Sequence, residues 1–204
     1  MSSAGPFSAD DTRSAYRDLR AYYHRTVERV IPDIADLLLQ LDVEQVSQLE
    51  RKFAADNAKL VRESVRGSPE ARRESRAARF IGHVEEFTGT LSASQRDLVR
   101  ERLAMGEDLT AERLADRRYR QGETLASIRA RVSRERMIAD LTRLLLQTEE
   151  WRRPAYQQKL RERDERMFEM LATLSATLTD EQRESLRERL RGFIHDISEL
   201  TASS

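Results

Sequence analysis

The stretch Leu178-Thr179-Asp180-Glu181-Gln182, which continues as RESLRERL to residue 190, decides the fold predicted for this chain. The same pattern occurs twice more, as Leu41-Asp42-Val43-Glu44-Gln45 and as Leu91-Ser92-Ala93-Ser94-Gln95. The copy at residue 91 continues almost in unison as RDLVRERL, and each copy opens an amphipathic run rich in Arg and Glu. Three helices are therefore predicted to begin at these three places.

The repeated phrase has the chemistry of a helix start. Its second residue is Asp, Ser or Thr, whose side-chain oxygen can accept a hydrogen bond from a backbone N–H of the first turn. Its fifth residue is always Gln, which can reach back to the N–H of the second residue and so complete a capping box. The predicted capping residues are Leu41, Asp42, Gln45, Leu91, Ser92, Gln95, Leu178, Thr179 and Gln182.

The leucine that opens each copy is expected to be a packing residue. A hydrophobic staple pairs the residue before the N-cap with an apolar residue at the fourth helical position. That position is apolar only in the first copy, at Val46, whereas the other copies carry Arg96 and Arg183. Leu91 and Leu178 are therefore predicted to plug the core between consecutive helices, and the whole phrase is interpreted as architecture.

The rest of the chain also has the apolar spacing of helices, and no strand-type alternation competes with it. The first helix is predicted to start at Ser8 and to run to about Ile31, and Pro32 is predicted to start a new short helix. Ser68, Thr110 and Ser133 are further predicted N-caps. The fold class is all-α, an elongated bundle of about seven to nine helices whose neighbours are mostly antiparallel.

The domain organisation follows from the same pattern. Residues 1–8 are expected to form a flexible tail, residues 9–200 a single helical domain, and residues 201–204 a frayed end. The helical pattern weakens around Gly106, so the domain could divide into two lobes near residues 106–110.

Composition narrows the classes of function. The 204 residues carry 36 basic and 36 acidic side chains, so the basic surplus typical of sequence-independent nucleic-acid binding is absent and no nucleic-acid partner is expected. The sequence has no Cys, which excludes disulfides and thiolate sites, and no apolar run reaches the roughly 18 residues of a membrane span.

The repeated phrase, set in an all-helical Arg/Glu-rich chain, resembles the periplasmic LTxxQ proteins, the Spy- and CpxP-like stress chaperones. The order of segments resembles uncharacterised proteobacterial lipoproteins of the cell envelope even more. That likeness rests on AYYHRTVERVIPDIADLLLQLDVEQ, SPEARRESR from Ser68, LSASQRDLVRERL, ERLADRRYRQ from Glu112 and LTDEQRESLRERL. The resemblance implies a periplasmic location and an N-terminal lipid anchor. Neither a signal peptide nor the acylated Cys occurs here, so the anchor is expected only if a leader precedes this sequence.

Few residue patterns in the sequence are typical of catalysis, metal binding or cofactor binding. His24, His83 and His195 lack metal-ligand spacing, and no nucleophile elbow or phosphate-binding Gly-rich loop occurs. No enzyme activity, catalytic residue, cofactor or metal is therefore expected. The Arg runs at residues 72–76 and 113–120 are candidates for acidic partners or anionic lipid headgroups, although pairing with nearby Glu and Asp is the commoner use of such runs.

The best single candidates for contact with a partner are Trp151, Arg152 and Arg153, since aromatic residues and Arg are enriched at binding hot spots, although a Trp at a helix junction is more often a core plug. The resemblance implies an envelope protein that binds proteins or unfolded clients through helical surfaces, as a chaperone does, and the lack of catalytic patterns predicts that it is not an enzyme. Two alternatives remain open: an adaptor or subunit that docks on one dedicated envelope partner, and a cytosolic helical regulator.

Overall fold

The computed structural model describes residues 5–65 and 68–202, with side chains placed except at 64, 65, 193 and 195–202. Within these residues the chain forms eight α-helices and no strand, which confirms the predicted all-α class and helix number. The helices are α1 (Ala9–Gln40), α2 (Val43–Leu60), α3 (Pro69–Thr88), α4 (Ala93–Ala104), α5 (Thr110–Arg129), α6 (Arg134–Leu145), α7 (Pro154–Thr177) and α8 (Asp180–Ala202). A π-helical turn over Val61–Val65 extends α2, and a 3-10 turn covers Thr148–Glu150.

The chain divides into two compact units whose segments alternate along the sequence. Unit 1 comprises Met1–Arg13, Gly67–Glu107 and Glu165–Ser204, and unit 2 comprises Ser14–Arg66 and Asp108–Asp164. The chain passes from unit 1 to unit 2 between residues 107 and 108, in the stretch where the helical pattern of the sequence weakens. Helix α8 reaches Ala202, two residues into the stretch predicted as a frayed end, and the predicted N-terminal tail lies partly outside the described residues.

Most of the predicted helix starts carry the expected side-chain cap. An oxygen of the N-cap side chain accepts the backbone N–H three residues later, over 2.8 to 3.2 Å, in every case that is confirmed. These N-caps are Ser8, Asp42, Ser68, Ser92, Ser133 and Thr179. The agreement follows from the local nature of a cap, which involves only neighbours in sequence. Gly67, which its position just before Ser68 predicts to be the C-cap of the preceding helix, lies outside the described residues.

The prediction that Pro32 begins a new helix is wrong, because α1 continues through it to Gln40. A proline inside a helix removes one hydrogen bond and costs about 3 kcal/mol or more. Ile31 and Ala35, on either side of the proline, are fully buried in the unit 2 core, and neighbouring apolar residues of α1 pack there too. Burying a single large aliphatic side chain contributes about 1.5–3 kcal/mol, so the packed face of α1 outweighs the break.

The prediction that Thr110 caps a helix is also wrong. Thr110 is the first residue of α5, and the N-cap is Leu109, whose side chain is buried and makes no capping bond. The Asp108 carboxylate accepts both the backbone N–H and the hydroxyl of Thr110, over 3.2 and 2.7 Å. A buried apolar residue therefore occupies the cap position, and the polar neighbour before it supplies the acceptor.

Each unit has its own apolar core. In unit 2, residues from α1, α2, α5 and α6 converge on Ile31, Ile128 and Met137, which are at most 2% exposed. In unit 1, the buried residues are Ile81, Leu91, Val99, Met170, Leu174 and Leu178. No helix in the described part of the chain is long and apolar enough to cross a membrane.

Gly89 ends α3 with a backbone conformation, φ 75° and ψ −172°, that side-chain-bearing residues rarely adopt. A Cβ at Gly89 would meet no neighbouring atom, so Gly89→Ala should lower the free energy of unfolding by about 1–3 kcal/mol through backbone strain alone. The control is Gly82→Ala in the exposed middle of the same helix, where a Cβ also meets nothing and a gain of about 0.5–1 kcal/mol is expected. Denaturant unfolding of both variants measures the two opposite signs, and an equal response would contradict the assignment.

Candidate functional site

The second and third copies of the repeated phrase meet inside unit 1 through their glutamines. Gln95 donates from Nε2 to Oε1 of Gln182 over 2.9 Å, and Gln182 donates from Nε2 to Oε1 of Gln95 over 3.1 Å. Each Nε2 also donates to a backbone carbonyl of the other turn, Gln95 to Thr177 over 2.9 Å and Gln182 to Thr90 over 2.8 Å. Two helix starts are thereby joined by a reciprocal pair of amides.

Both amides use their full hydrogen-bonding capacity. Besides the bonds between the glutamines, each Oε1 accepts the N-cap N–H of its own helix, from Ser92 over 2.8 Å and from Thr179 over 3.0 Å. A Gln side chain offers two donors and two acceptor sites, and all four are occupied in Gln95 and in Gln182. Their exposure is only 4% and 9%, so these bonds offset what would otherwise be a large desolvation cost.

The predicted caps are therefore present, but the pairing of the two glutamines was not predicted from the sequence. The one signal that could have indicated it is the near-identity of the two copies, since a reciprocal contact needs the same groups on both sides. The leucines behave as predicted: Leu91 and Leu178 are 2% and 6% exposed and lie in the unit 1 core.

The first copy has the same capping box but a different setting. In unit 2, Asp42 accepts from Gln45 N over 2.8 Å and its own N–H donates to Gln45 Oε1 over 3.0 Å. Gln45 is exposed, and no second glutamine turn faces it among the described residues. Leu41 is half-buried against the unit 2 core, and the predicted staple partner Val46 is buried there. The first copy is thus a cap alone.

Glu85 braces the turn that leads into the second copy. One of its oxygens accepts the backbone N–H of Leu91 over 2.9 Å and the guanidinium of Arg96 over 3.0 and 2.7 Å. The hydrogen bond from Leu91 and the contact with Arg96 lower the pKa of the Glu85 carboxyl below its ordinary value. The charged carboxylate is therefore the form that holds Leu91 in the core.

An apolar groove of about 300 Å³ lies beside the paired turns in unit 1. Its wall includes Leu178 of the third copy, so the buried leucine of the motif is shared between the core and the groove. The other apolar residues of the wall are Phe7, Phe80, Val84, Phe87, Leu171, Leu174, Leu186 and Leu190.

The polar residues in the groove wall direct their hydroxyls toward backbone carbonyls. Thr88 donates to the carbonyls of Val84 and Gly89, each over 3.0 Å, and Ser175 donates to the carbonyl of Phe7 over 3.0 Å. The bond from Ser175 holds the N-terminal segment that carries Phe7 against α7. His83, whose side chain is 75% exposed, also lines the groove, and its Nδ1 lies 3.6 Å from a carboxylate oxygen of Glu86. The groove therefore offers a bound ligand apolar contact and little hydrogen bonding.

The residues predicted to contact a partner, Trp151, Arg152 and Arg153, lie at the junction before α7 in unit 2. The indole of Trp151 stacks on Tyr119 at 5.0 Å and its N–H donates to the carbonyl of Arg143 over 3.1 Å. Arg152 bonds Asp116 over 2.6 Å and lies over the indole at 5.3 Å. Only Arg153 of the three is exposed. Trp151 and Arg152 thus hold the junction together, and a role in partner binding stays a prediction.

No group of three or more His, Cys, Asp or Glu side chains is placed to hold a metal ion in the part of the chain that the structure describes. His24 lies in unit 2 and His83 in unit 1, and the side chain of His195 lies outside the described residues.

Comparison with known proteins gives a match at the level of a protein family. A family model described as a family of unknown function (DUF6279) matches residues 3–157, about three quarters of the chain. No curated protein and no solved structure matches the chain. The match covers the first and second copies of the phrase and ends before the third, so it includes only one side of the glutamine pair.

The glutamine pair predicts a strong coupling between two distant residues. Gln95→Ala or Gln182→Ala alone leaves a buried amide with unfilled bonds, and each should lower the free energy of unfolding by about 1–3 kcal/mol. The double variant should cost less than the sum of the two, with a coupling energy of about 0.5–3 kcal/mol. Denaturant unfolding of the four proteins measures this cycle. Gln45→Ala is the matched control: it removes the same bond to the N-cap N–H at an exposed site and should cost only about 0.5–1 kcal/mol, whereas strictly additive effects of Gln95 and Gln182 would contradict the pairing.

The Glu85 carboxylate predicts an acid-sensitive contribution to stability. Because its pKa is lowered in the folded state, the contribution is present above the unfolded-state pKa of about 4.3 and is lost as the pH falls through the folded-state pKa. Glu85→Gln should therefore destabilise the protein at neutral pH, and its difference from wild type should shrink as the pH falls below about 4.3. Thermal unfolding from pH 7 to pH 3 measures the difference. The exposed Glu101→Gln should track the wild type throughout, and a constant deficit for Glu85→Gln would refute the account.

Proposed function

Because the chain belongs to the family of unknown function DUF6279, we propose a function from its own surfaces: it is a non-enzymatic protein that holds apolar side chains of other proteins in the unit 1 groove. The observation that carries the proposal is the groove itself, with three phenylalanines and several leucines in its wall and its hydroxyls bonded to backbone carbonyls.

The size of the groove sets the strength of binding that it supports. A volume of about 300 Å³ is at the low end of ligand sites, enough for one or two apolar side chains of a client. Each buried Leu or Phe side chain contributes about 1.5–3 kcal/mol, so one or two correspond to dissociation constants of millimolar to tens of micromolar at best. Such weak, non-directional binding suits transient holding of unfolded or assembling clients, as a chaperone performs it.

The groove by itself supports a dedicated adaptor less well. A stable interface with one partner usually buries at least about 1,000 Å² and includes directional polar contacts at its rim. The groove wall offers few free polar groups, since Thr88 and Ser175 are already bonded to backbone carbonyls. We therefore propose that the groove holds clients. Docking on one dedicated partner is the alternative that a partner-capture experiment would reveal.

The proposed location is the periplasm, where a lipid anchor would tether the native chain to a membrane. The support for this location is the resemblance of the ordered sequence segments to envelope lipoproteins. Unfolded clients with exposed apolar segments arise in that compartment during export, which agrees with the proposed activity. Mass spectrometry of the N-terminal peptide of the native protein tests the location, because an acylated Cys that follows a removed leader is expected there.

Leu190→Glu tests the groove. Leu190 lines it and is 43% exposed, so a carboxylate there should place a charge at the groove without disturbing the core. We expect wild-type protein to slow the aggregation of a chemically unfolded model client, measured by light scattering, and Leu190→Glu to lose most of this effect. The matched control is Leu37→Glu, which changes a leucine of similar exposure, 61%, that is absent from the groove wall.

Two results would contradict the proposal. One is the absence of any effect of the wild-type protein across several clients and salt concentrations. The other is equal activity of Leu190→Glu and Leu37→Glu. Capture of one stoichiometric partner from solubilised membranes, lost in Leu190→Glu, would identify the groove as the docking site of an adaptor instead.

A further inference from the structure

Unit 2 contains a cleft of about 510 Å³. Its wall is mainly charged, whereas the wall of the groove in unit 1 is mainly apolar. Segments of α1, α5, α7 and the 3-10 turn form its wall. Six guanidinium side chains line it: Arg20, Arg113, Arg120, Arg152, Arg161 and Arg163. We refer to it as the arginine cleft.

Three carboxylates lie in the described wall of the arginine cleft, and each already has an arginine partner. Arg152 pairs with Asp116 over 2.6 Å. Arg163 pairs with Asp164 over 2.6 Å, and Arg20 approaches Glu149 at 3.9 Å.

Among the residues that the structure describes, three arginines of the cleft have no carboxylate partner: Arg113, Arg120 and Arg161. Arg161 donates to the neutral side-chain oxygen of Gln158 over 3.2 and 2.9 Å, which leaves its charge uncompensated. The lining of the cleft therefore carries a formal surplus of three positive charges, although the chain as a whole is neutral.

Arg120 adds an observation independent of the charge count. Its Nε is buried and has no hydrogen-bond partner among the described residues. A buried donor without a partner weakens the folded state, and so does crowding of like charges in one cleft. An anion that enters the cleft would relieve the crowding of charge, so binding there would stabilise the protein.

We propose that the arginine cleft binds a phosphate-bearing anion. A carboxylate brings one negative charge, whereas a phosphate ester carries about 1.5 to 2 and offers three oxygens to surrounding donors. Guanidinium groups match phosphate oxygens with pairs of parallel N–H donors. A phosphate ester therefore compensates the surplus of three positive charges better than a single carboxylate does.

Two tyrosines complete the wall of the arginine cleft. Burial and the nearby Asp164 raise the pKa of the Tyr16 hydroxyl, and burial and Asp116 raise the pKa of Tyr156. Both phenols therefore stay protonated at neutral pH, and the Tyr16 hydroxyl donates to Asp164 over 3.3 Å. The site lies in the other unit from the apolar groove, so it does not rest on the function proposed for that groove.

A calorimetric titration with inorganic pyrophosphate at low salt tests the proposal on the full chain. We expect saturable binding by the wild type and a loss of about tenfold or more in affinity for the double variant Arg113→Gln/Arg120→Gln, since each charge-assisted bond is worth about a tenfold change. The matched control is Arg25→Gln/Arg29→Gln, which removes the same charge from exposed positions of α1 outside the cleft. The control should keep nearly the wild-type affinity.

A second measurement separates binding from folding. Arg120→Gln alone should not lower the unfolding temperature without ligand, because the Nε that it removes makes no bond in the described structure. Pyrophosphate should raise the unfolding temperature of the wild type and raise it much less in the double variant. These two results together would support a binding role for the arginine cleft.

Vesicles distinguish a lipid headgroup from a free phosphate compound. Cosedimentation with phosphatidylglycerol vesicles, but not with phosphatidylcholine vesicles, and its loss in Arg113→Gln/Arg120→Gln would identify an anionic headgroup as the source. Binding of pyrophosphate without cosedimentation would identify a soluble phosphate compound. The proposal is overturned if the wild type binds neither probe at low salt, or if the two double variants lose affinity equally.

Discussion

The reciprocal hydrogen bonds between Gln95 and Gln182 are the constraint on which unit 1 depends. They fix the start of α4 against the start of α8. Gln95 Nε2 also donates to the backbone carbonyl of Thr177 at the end of α7. With the amides held in this way, Leu91 and Leu178 can enter the core from two turns at once. The apolar groove borders this arrangement, so the same bonds that stabilise the unit also shape one of its surfaces.

The neutral net charge of the chain conceals two surfaces of different character. In unit 1, aromatic and aliphatic side chains line a groove that offers little hydrogen bonding. In unit 2, arginines outnumber carboxylates around a cleft, and the excess acid needed for neutrality is spread over other helix faces. Only three of the 36 basic residues are Lys, which gives the cleft the planar, multiply donating group suited to anions. Average composition therefore describes neither surface.

The sequence predicted the parts of the fold that depend on near neighbours. Caps such as Asp42 and Ser133 and the helix number follow from local spacing, and they agree with the structure. The errors at Pro32 and Thr110 arise where the burial of neighbouring side chains, which local spacing does not reveal, decides the helix boundary. The glutamine pair joins residues 87 positions apart, and the groove needs three separate segments of chain. Such contacts leave no trace in the spacing of residues along one helix.

The alternation of the two units along the chain has a consequence for biosynthesis. The last segment of unit 2 ends at Asp164, whereas unit 1 still needs the segment that begins at Glu165. During translation from the N-terminus, unit 2 therefore has all its parts first. Gln95 emerges from the ribosome long before Gln182, so its amide lacks the partner that it has in the folded unit until α8 is made. Until the last helix is made, the nascent chain carries an incomplete unit 1 whose apolar residues are exposed to chaperones and proteases.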